Sequence, residues 1–186
     1  LAIEFSKKNI ALVGFDIDKK RILDLKNSID FTNEVDKKEL KKSKIIFSNN
    51  LSDIKECNVF IVTVPTPVNK KNKPDLKPLL NATKLVSKNL KKKDIVIYES
   101  TVFPGATEEI CGPILEKNSG LKINKDIFLG YSPERINPGD KNKRITDIIK
   151  ITSGSNSVAS KIVTYLYSLI IKAGVHETDS IKIAES

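Results

Sequence analysis

Residues 58–67, "NVFIVTVPTP", are an almost unbroken apolar run, rich in β-branched side chains, that stops at two prolines. A run without polar alternation leaves no face for water. It therefore predicts a strand buried on both sides, which calls for a parallel sheet with helices packed on each face. The rest of the chain meets that demand. "ALVGFDID" (11–18), "KIIFS" (44–48), "DIVIYES" (94–100), "DIFLGYSPE" (126–134) and "IIKITSG" (148–154) have strand character. Between them "KKRILDLKNS", "DLKPLLNATKLVSKNL", "FPGATEEICGPILEKNSG" and "VASKIVTYLYSLIIKAG" carry helical spacing, the last running to Gly174. "LSDIKEC" adds a short helix with Ser52 as its cap. This alternation predicts an α/β fold with a doubly wound, mainly parallel, Rossmann-type sheet.

The opening "LAIEFSKKNI" has helical spacing and no cap before it, like the later part of a helix. The expected organisation is a fragment truncated at both ends. Residues 1–175 would form a nucleotide-binding domain lacking its first strand and glycine loop, and 176–186 would begin a helix leading to an absent second half.

With 32 Lys and Arg against 23 Asp and Glu, the net charge is +9. The lysines are scattered, interleaved with acids and without stacking aromatics, which describes a solvated surface rather than a nucleic-acid footprint. An anionic small substrate also suits that balance. No apolar run approaches the roughly 18–20 residues that span a bilayer, and no signal-peptide pattern opens the chain, so the expected location is cytoplasmic, with no membrane partner. Cys57 and Cys111 lack metal-ligand spacing and are expected as free thiols, with no metal site. His176, the lone histidine, stands before the expected start of a last helix and is taken as a surface or capping residue.

In doubly wound sheets ligands gather beyond the carboxyl ends of the strands. Those ends carry Asp16 and Asp18; Pro65, Thr66 and Pro67; Glu99, Ser100 and Thr101; and Ser132, Pro133 and Glu134. An acid such as Asp16 is what a dinucleotide fold uses to accept the adenosine ribose hydroxyls, and equally it is a common helix cap. Its charge would repel a 2′-phosphate, which favours NAD over NADP. Arg21 could cover an adenosine phosphate or face water. The prolines around Thr66 either aim its hydroxyl into the crevice or simply stiffen the strand exit. Ser100 and Thr101, just before a helix expected from Pro104, either converge with free backbone N–H groups on an oxyanion or cap that helix.

"VPTPVNKKNKPDLKPL", "ESTVFPGATEEIC", "GYSPERINPGDKNKR" and "KITSGS", in that order and spacing, resemble the UDP-glucose/GDP-mannose dehydrogenase family of nucleotide-sugar 6-dehydrogenases. "SPERINPGDK" is most similar to members acting on UDP-N-acetylhexosamines for surface-polysaccharide synthesis. The resemblance covers the whole chain, as the NAD-binding, amino-terminal part of a longer enzyme. It implies oxidation of the sugar C6 alcohol to a carboxylate in two hydride transfers to NAD, a nucleotide-sugar substrate, and a homodimer as the full-length protein. Asp16 would hold the ribose, with Arg21 on the adenosine side. Val64, Pro65 and Thr66 would line the cofactor, and Ser100 and Thr101 would lie beside the nicotinamide and the reacting carbon. Glu134 would position or deprotonate the hydrolytic water, with Arg135 and Asn137 near the substrate. Pro138 stands where UDP-glucose enzymes carry a second Glu, which weakens glucose as the sugar. The family's nucleophilic Cys lies in a second half absent here, and neither Cys57 nor Cys111 matches it. The 186 residues alone are not expected to turn over.

Overall fold

The computed structural model describes residues 1–68, 74–134 and 145–186. In chain order the elements are α1 (Ala2–Ser6), β1 (Leu12–Phe15), α2 (Lys19–Lys26), α3 (Lys37–Lys42) and β2 (Ile45–Ser48). A 3-10 turn (Leu51–Ile54), β3 (Val59–Val62), α4 (Lys77–Ser87) and β4 (Ile95–Tyr98) follow. A π-helix (Ala106–Cys111) then runs into α5 (Gly112–Ser119), before β5 (Phe128–Tyr131) and a 3-10 turn (Ile145–Asp147). The chain closes with β6 (Lys150–Gly154), α6 (Ser157–Ser168), β7 (Val175–Glu177) and α7 (Ile181–Ala184).

Strands β3 to β7 form a five-stranded sheet in sequence order, and β1 and β2 a separate parallel pair. All pairings in the larger sheet are parallel except β5 with β6. The doubly wound α/β expectation holds, with one reversed strand. The β1–β2 pair joins the larger sheet by packing: Val13 and Phe15 lie against the cluster of Ile54, Phe60 and Val62.

Strand β4 is buried from end to end, and its alternation divides the core. Val96 and Tyr98 point to one face, with Leu79 of α4 and Leu115 of α5. Ile95 and Ile97 point to the other, with Phe5 of α1 and Ala159, Val163 and Tyr167 of α6. Each of the larger apolar side chains contributes about 1.5–3 kcal/mol by leaving water. The Tyr98 hydroxyl on the first face is satisfied by Thr83 Oγ1 at 2.9 Å.

Several boundaries differ from the sequence expectation for local reasons. The 3-10 turn is capped by Asn50, whose side chain accepts from Ser52 N, so Ser52 is not the cap. Helix α6 ends at Ser168, short of Gly174, because the N–H groups of Lys172 and Ala173 donate to Thr146 O instead of continuing the helix. His176 is exposed, as expected, but sits in the edge strand β7 rather than before a helix. The boundary expected at 175/176 falls within β7, and Ile181 and Ala184 beyond it join the core. Cys57 and Cys111 are both unbridged, and burial pushes the Cys111 thiol up from its ordinary value. Among the described residues no helix is long and apolar enough to cross a membrane.

Candidate active site at the strand ends

Beyond the carboxyl ends of β3, β4 and β5 the chain is tied together by side chains rather than by the sheet ladder. Ser100 Oγ donates to Val64 O at 2.6 Å, and Tyr131 OH donates to Ser100 O at 3.0 Å. Ser100 is thereby buried and its hydroxyl is spent on the neighbouring strand exit. Thr101, the next residue, is exposed. Thr66 Oγ1 is buried and has no hydrogen-bond partner among the described residues. Such an orphan hydroxyl has the donor and acceptor capacity that a ligand group at this strand exit would satisfy.

The helix that follows Thr101 does not begin at Pro104 with open donors. Gly105 takes φ 94°, a left-handed conformation that favours glycine, and the helix starts at Ala106. Its amino-terminal N–H groups are occupied from the far end of the chain: Glu185 accepts from Gly105 N at 2.5 Å and from Thr107 N at 2.9 Å. The oxyanion site expected there is filled by the protein's own carboxylate. Replacing Glu185 with Gln keeps an acceptor but loses the charge, and is expected to cost about 1–2 kcal/mol in urea unfolding. An unchanged midpoint would show that this contact contributes nothing.

Asp16 stands at the end of β1. Its Oδ1 accepts from Asp18 N at 2.9 Å, and its Oδ2 lies 3.6 Å from Arg21 Nε. The Arg21 guanidinium also lies over the Phe31 ring, 5.0 Å from its centroid. The helix cap is Asp18, which accepts from Lys20 N and Arg21 N, so capping leaves Asp16 free for another role. A carboxylate has about four acceptor sites, and these contacts leave some of them open.

Glu134, itself exposed, borders a buried charge cluster that sequence reasoning missed. Lys150, the first residue of β6, pairs with Glu99 at the end of β4, the two side chains being 6% and 1% exposed. Lys150 Nζ also donates to Pro133 O at 3.0 Å and lies 3.8 Å from Glu134 Oε2. Tyr167 OH donates to the second Glu99 oxygen at 2.7 Å. Burial pushes the Glu99 carboxyl above the ordinary carboxylate range, against the pull of the Lys150 ammonium. It likewise pushes the Tyr167 phenol well up, reinforced by the Glu99 charge. The signal for this cluster was Lys150 itself, the one charged residue of β6. Its partner lies 51 residues away in sequence.

Val64, Ser100 and Tyr131 are thus linked by hydrogen bonds, Glu99, Pro133 and Glu134 by Lys150, and the two sets meet in the chain at Glu99–Ser100, with Pro65, Thr66 and Thr101 adjoining them. Asp16, just beyond β1, and Arg21 of α2 lie together beside the smaller sheet. Arg135, Asn137 and Pro138 lie outside the described residues.

The sequence model of the UDP-glucose/GDP-mannose dehydrogenase family, NAD binding domain, matches residues 1–171. The chain is 57% identical over its whole length to a UDP-N-acetyl-D-glucosamine 6-dehydrogenase of Pseudomonas aeruginosa, and 50% to one of Salmonella typhi. It spans 44% of the length of each. Among solved structures, the UDP-D-ManNAc dehydrogenase of Pyrococcus horikoshii superposes with a TM-score of 0.89 at 29% identity, over 99% of this chain and 44% of that one. A glycerol-3-phosphate dehydrogenase of Coxiella burnetii, at 7% identity and TM-score 0.66, shares the fold alone. By the match over nearly its whole length, and in keeping with the strand-end geometry, this chain belongs to the UDP-glucose/GDP-mannose dehydrogenase family, of which it is the NAD binding domain.

Proposed function

We propose that this chain is the NAD-binding part of a longer cytoplasmic, homodimeric enzyme that oxidises the C6 alcohol of a UDP-N-acetylhexosamine to the uronic acid for surface-polysaccharide synthesis. The observation that carries the reading is the bonded cluster at the ends of β3, β4 and β5, which brings Val64, Ser100 and Glu134 to one end of the sheet. The identity to UDP-N-acetyl-D-glucosamine 6-dehydrogenases supports the sugar class.

Bound NAD supplies the hydride acceptor for both oxidations. Asp16 accepts hydrogen bonds from the ribose hydroxyls with its open carboxylate sites, and Arg21, drawn onto Asp16 and Phe31, flanks the adenosine side. Val64, Pro65 and Thr66 line the cofactor, with the unpaired Thr66 hydroxyl bonding to it. Ser100 fixes the backbone through Val64, and Thr101 beside it would face the nicotinamide and the reacting carbon. Glu134 would hold the hydrolytic water and take its proton. Arg135 and Asn137 contact the substrate on the family resemblance alone.

The enzyme carrying this chain, given UDP-N-acetylglucosamine and NAD, is expected to release two NADH for each sugar oxidised. Asp16→Asn is expected to raise the KM for NAD about 10- to 100-fold, the worth of a charge-assisted hydrogen-bond pair, with the sugar KM unchanged. No NADH with any UDP-N-acetylhexosamine sinks the substrate assignment. An unchanged NAD KM sinks the role of Asp16.

A further inference from the structure

A lysine side chain only 6% exposed, placed between two carboxylates, is a costly thing to bury. An apolar side chain of similar size is often as stabilising in such a position or more so, so stability alone does not account for Lys150. An ammonium differs from an apolar group in having three N–H donors. Here its contacts lie on separate stretches of chain: Glu99 after β4, Pro133 O after β5, and Glu134 at 3.8 Å. Glu99 is held in turn by Tyr167 of α6, which is fully buried. The cation is therefore fixed in advance and has no freedom to reorganise.

Glu99 is separated from Thr101 in sequence only by Ser100, whose own hydroxyl and carbonyl are both bonded to neighbouring strands or their exits. The stretch that carries Thr101 and the stretch that carries Glu134 are thus joined through one ammonium. We propose that Lys150 is a positioning residue that fixes the spacing between Thr101 and Glu134. It binds the Thr101 strand through Glu99 and the Glu134 stretch through Pro133 and the Glu134 carboxylate. What that spacing serves rests on the function proposed above. The spacing itself does not.

The test removes the buried ion pair and leaves only the Glu134 carboxylate, which at 37% side-chain exposure is open to water. Lys150→Met with Glu99→Gln removes both charges and leaves an amide oxygen in place of the carboxylate to accept from Tyr167. In the enzyme carrying this chain, kcat is expected to fall about 10- to 100-fold, the usual cost of a misplaced catalytic group, with the KM for NAD within about twofold. The loss is expected to vanish on a Glu134→Gln background, because a residue acting through Glu134 has nothing left to position. A double variant that keeps wild-type kcat, or whose loss multiplies with that of Glu134→Gln, overturns the proposal. If the double variant does not fold, Lys150→Arg carries the test: it keeps the charge and displaces the donor, so kcat is expected to fall with the melting temperature retained, and an unchanged kcat overturns it. If Glu134→Gln is itself fully active, the role given to Glu134 fails and the spacing is read by spectroscopy. In the 186-residue chain labelled with 13C at glutamate carboxyls, the Glu134 resonance, assigned by its absence in Glu134→Gln, is expected to move in the double variant. A resonance that stays in place overturns the strut.

Discussion

Lys150→Met alone is expected to lower the unfolding free energy by about 3–5 kcal/mol at pH 8, because it leaves the Glu99 carboxylate buried without its cation. The side chain of Glu99 is 1% exposed, so water cannot replace the lost partner. The deficit is expected to shrink on acidification. Burial already holds the Glu99 carboxyl above its ordinary value, and the Lys150 ammonium is the largest influence pulling it back down. Without that ammonium the folded state binds the proton at still higher pH, whereas the unfolded chain binds it only in the ordinary glutamate range. Between those two values the native state carries more protons than the unfolded state, so stability rises as pH falls. Urea unfolding of the variant at pH 8 and again near pH 5.5 checks this. An equal deficit at both values would mean that the cost is lost packing rather than a stranded charge.

Gly154→Ala is expected to be about as damaging, for a purely steric reason. A Cβ at Gly154 would lie 2.2 Å from Ser160 N, 2.5 Å from Ala159 C and 2.7 Å from Ser160 Cα. All three are backbone atoms near the start of α6, where Asn156 caps the helix through Ala159 N. No rotamer change relieves the overlap; α6 has to move off the sheet. Overpacking usually costs 1–3 kcal/mol, and with rigid backbone on the other side about 3 kcal/mol or more is expected, lowering the melting temperature by about 6–12 °C. Gly130→Ala is the natural control, since its added methyl would meet Val163 Cγ2, a side-chain atom, at 2.6 Å. Equal losses for the two would show that α6 yields as readily as a side chain does.

The strands were legible because each main one is a short apolar run between turn or cap residues, and because the helices between them keep their spacing. Strand direction left no such mark. "KITSG" shows nothing that makes β6 antiparallel to β5, yet that reversal brings Lys150, at its start, to the ligand side of the sheet. β7 was missed because only Val175 of its three residues is apolar. The extent of α6 was overestimated because Leu169, Ile170 and Ile171 prolong the apolar pattern while the next donors are captured by Thr146 O. Within the candidate site, Asp16, Thr66 and Glu134 stood out through local punctuation, an acid or a proline at a strand end. Glu185, Lys150 and Tyr167 did not, since each acquires its partner through packing across 51 or more residues of chain.

The pair of bonds at the foot of the 134–149 segment has a consequence in chain entropy. Ser132 Oγ donates to Ile151 O at 2.7 Å and Lys150 Nζ donates to Pro133 O at 3.0 Å, so the outgoing and returning stretches are clasped from both sides. A connection closed at its base loses little more by growing: each doubling of its length adds only about 0.6 kcal/mol. Changes in the length of the connection, away from the turn held by Thr146, are then expected to leave the clasped strand ends in their places.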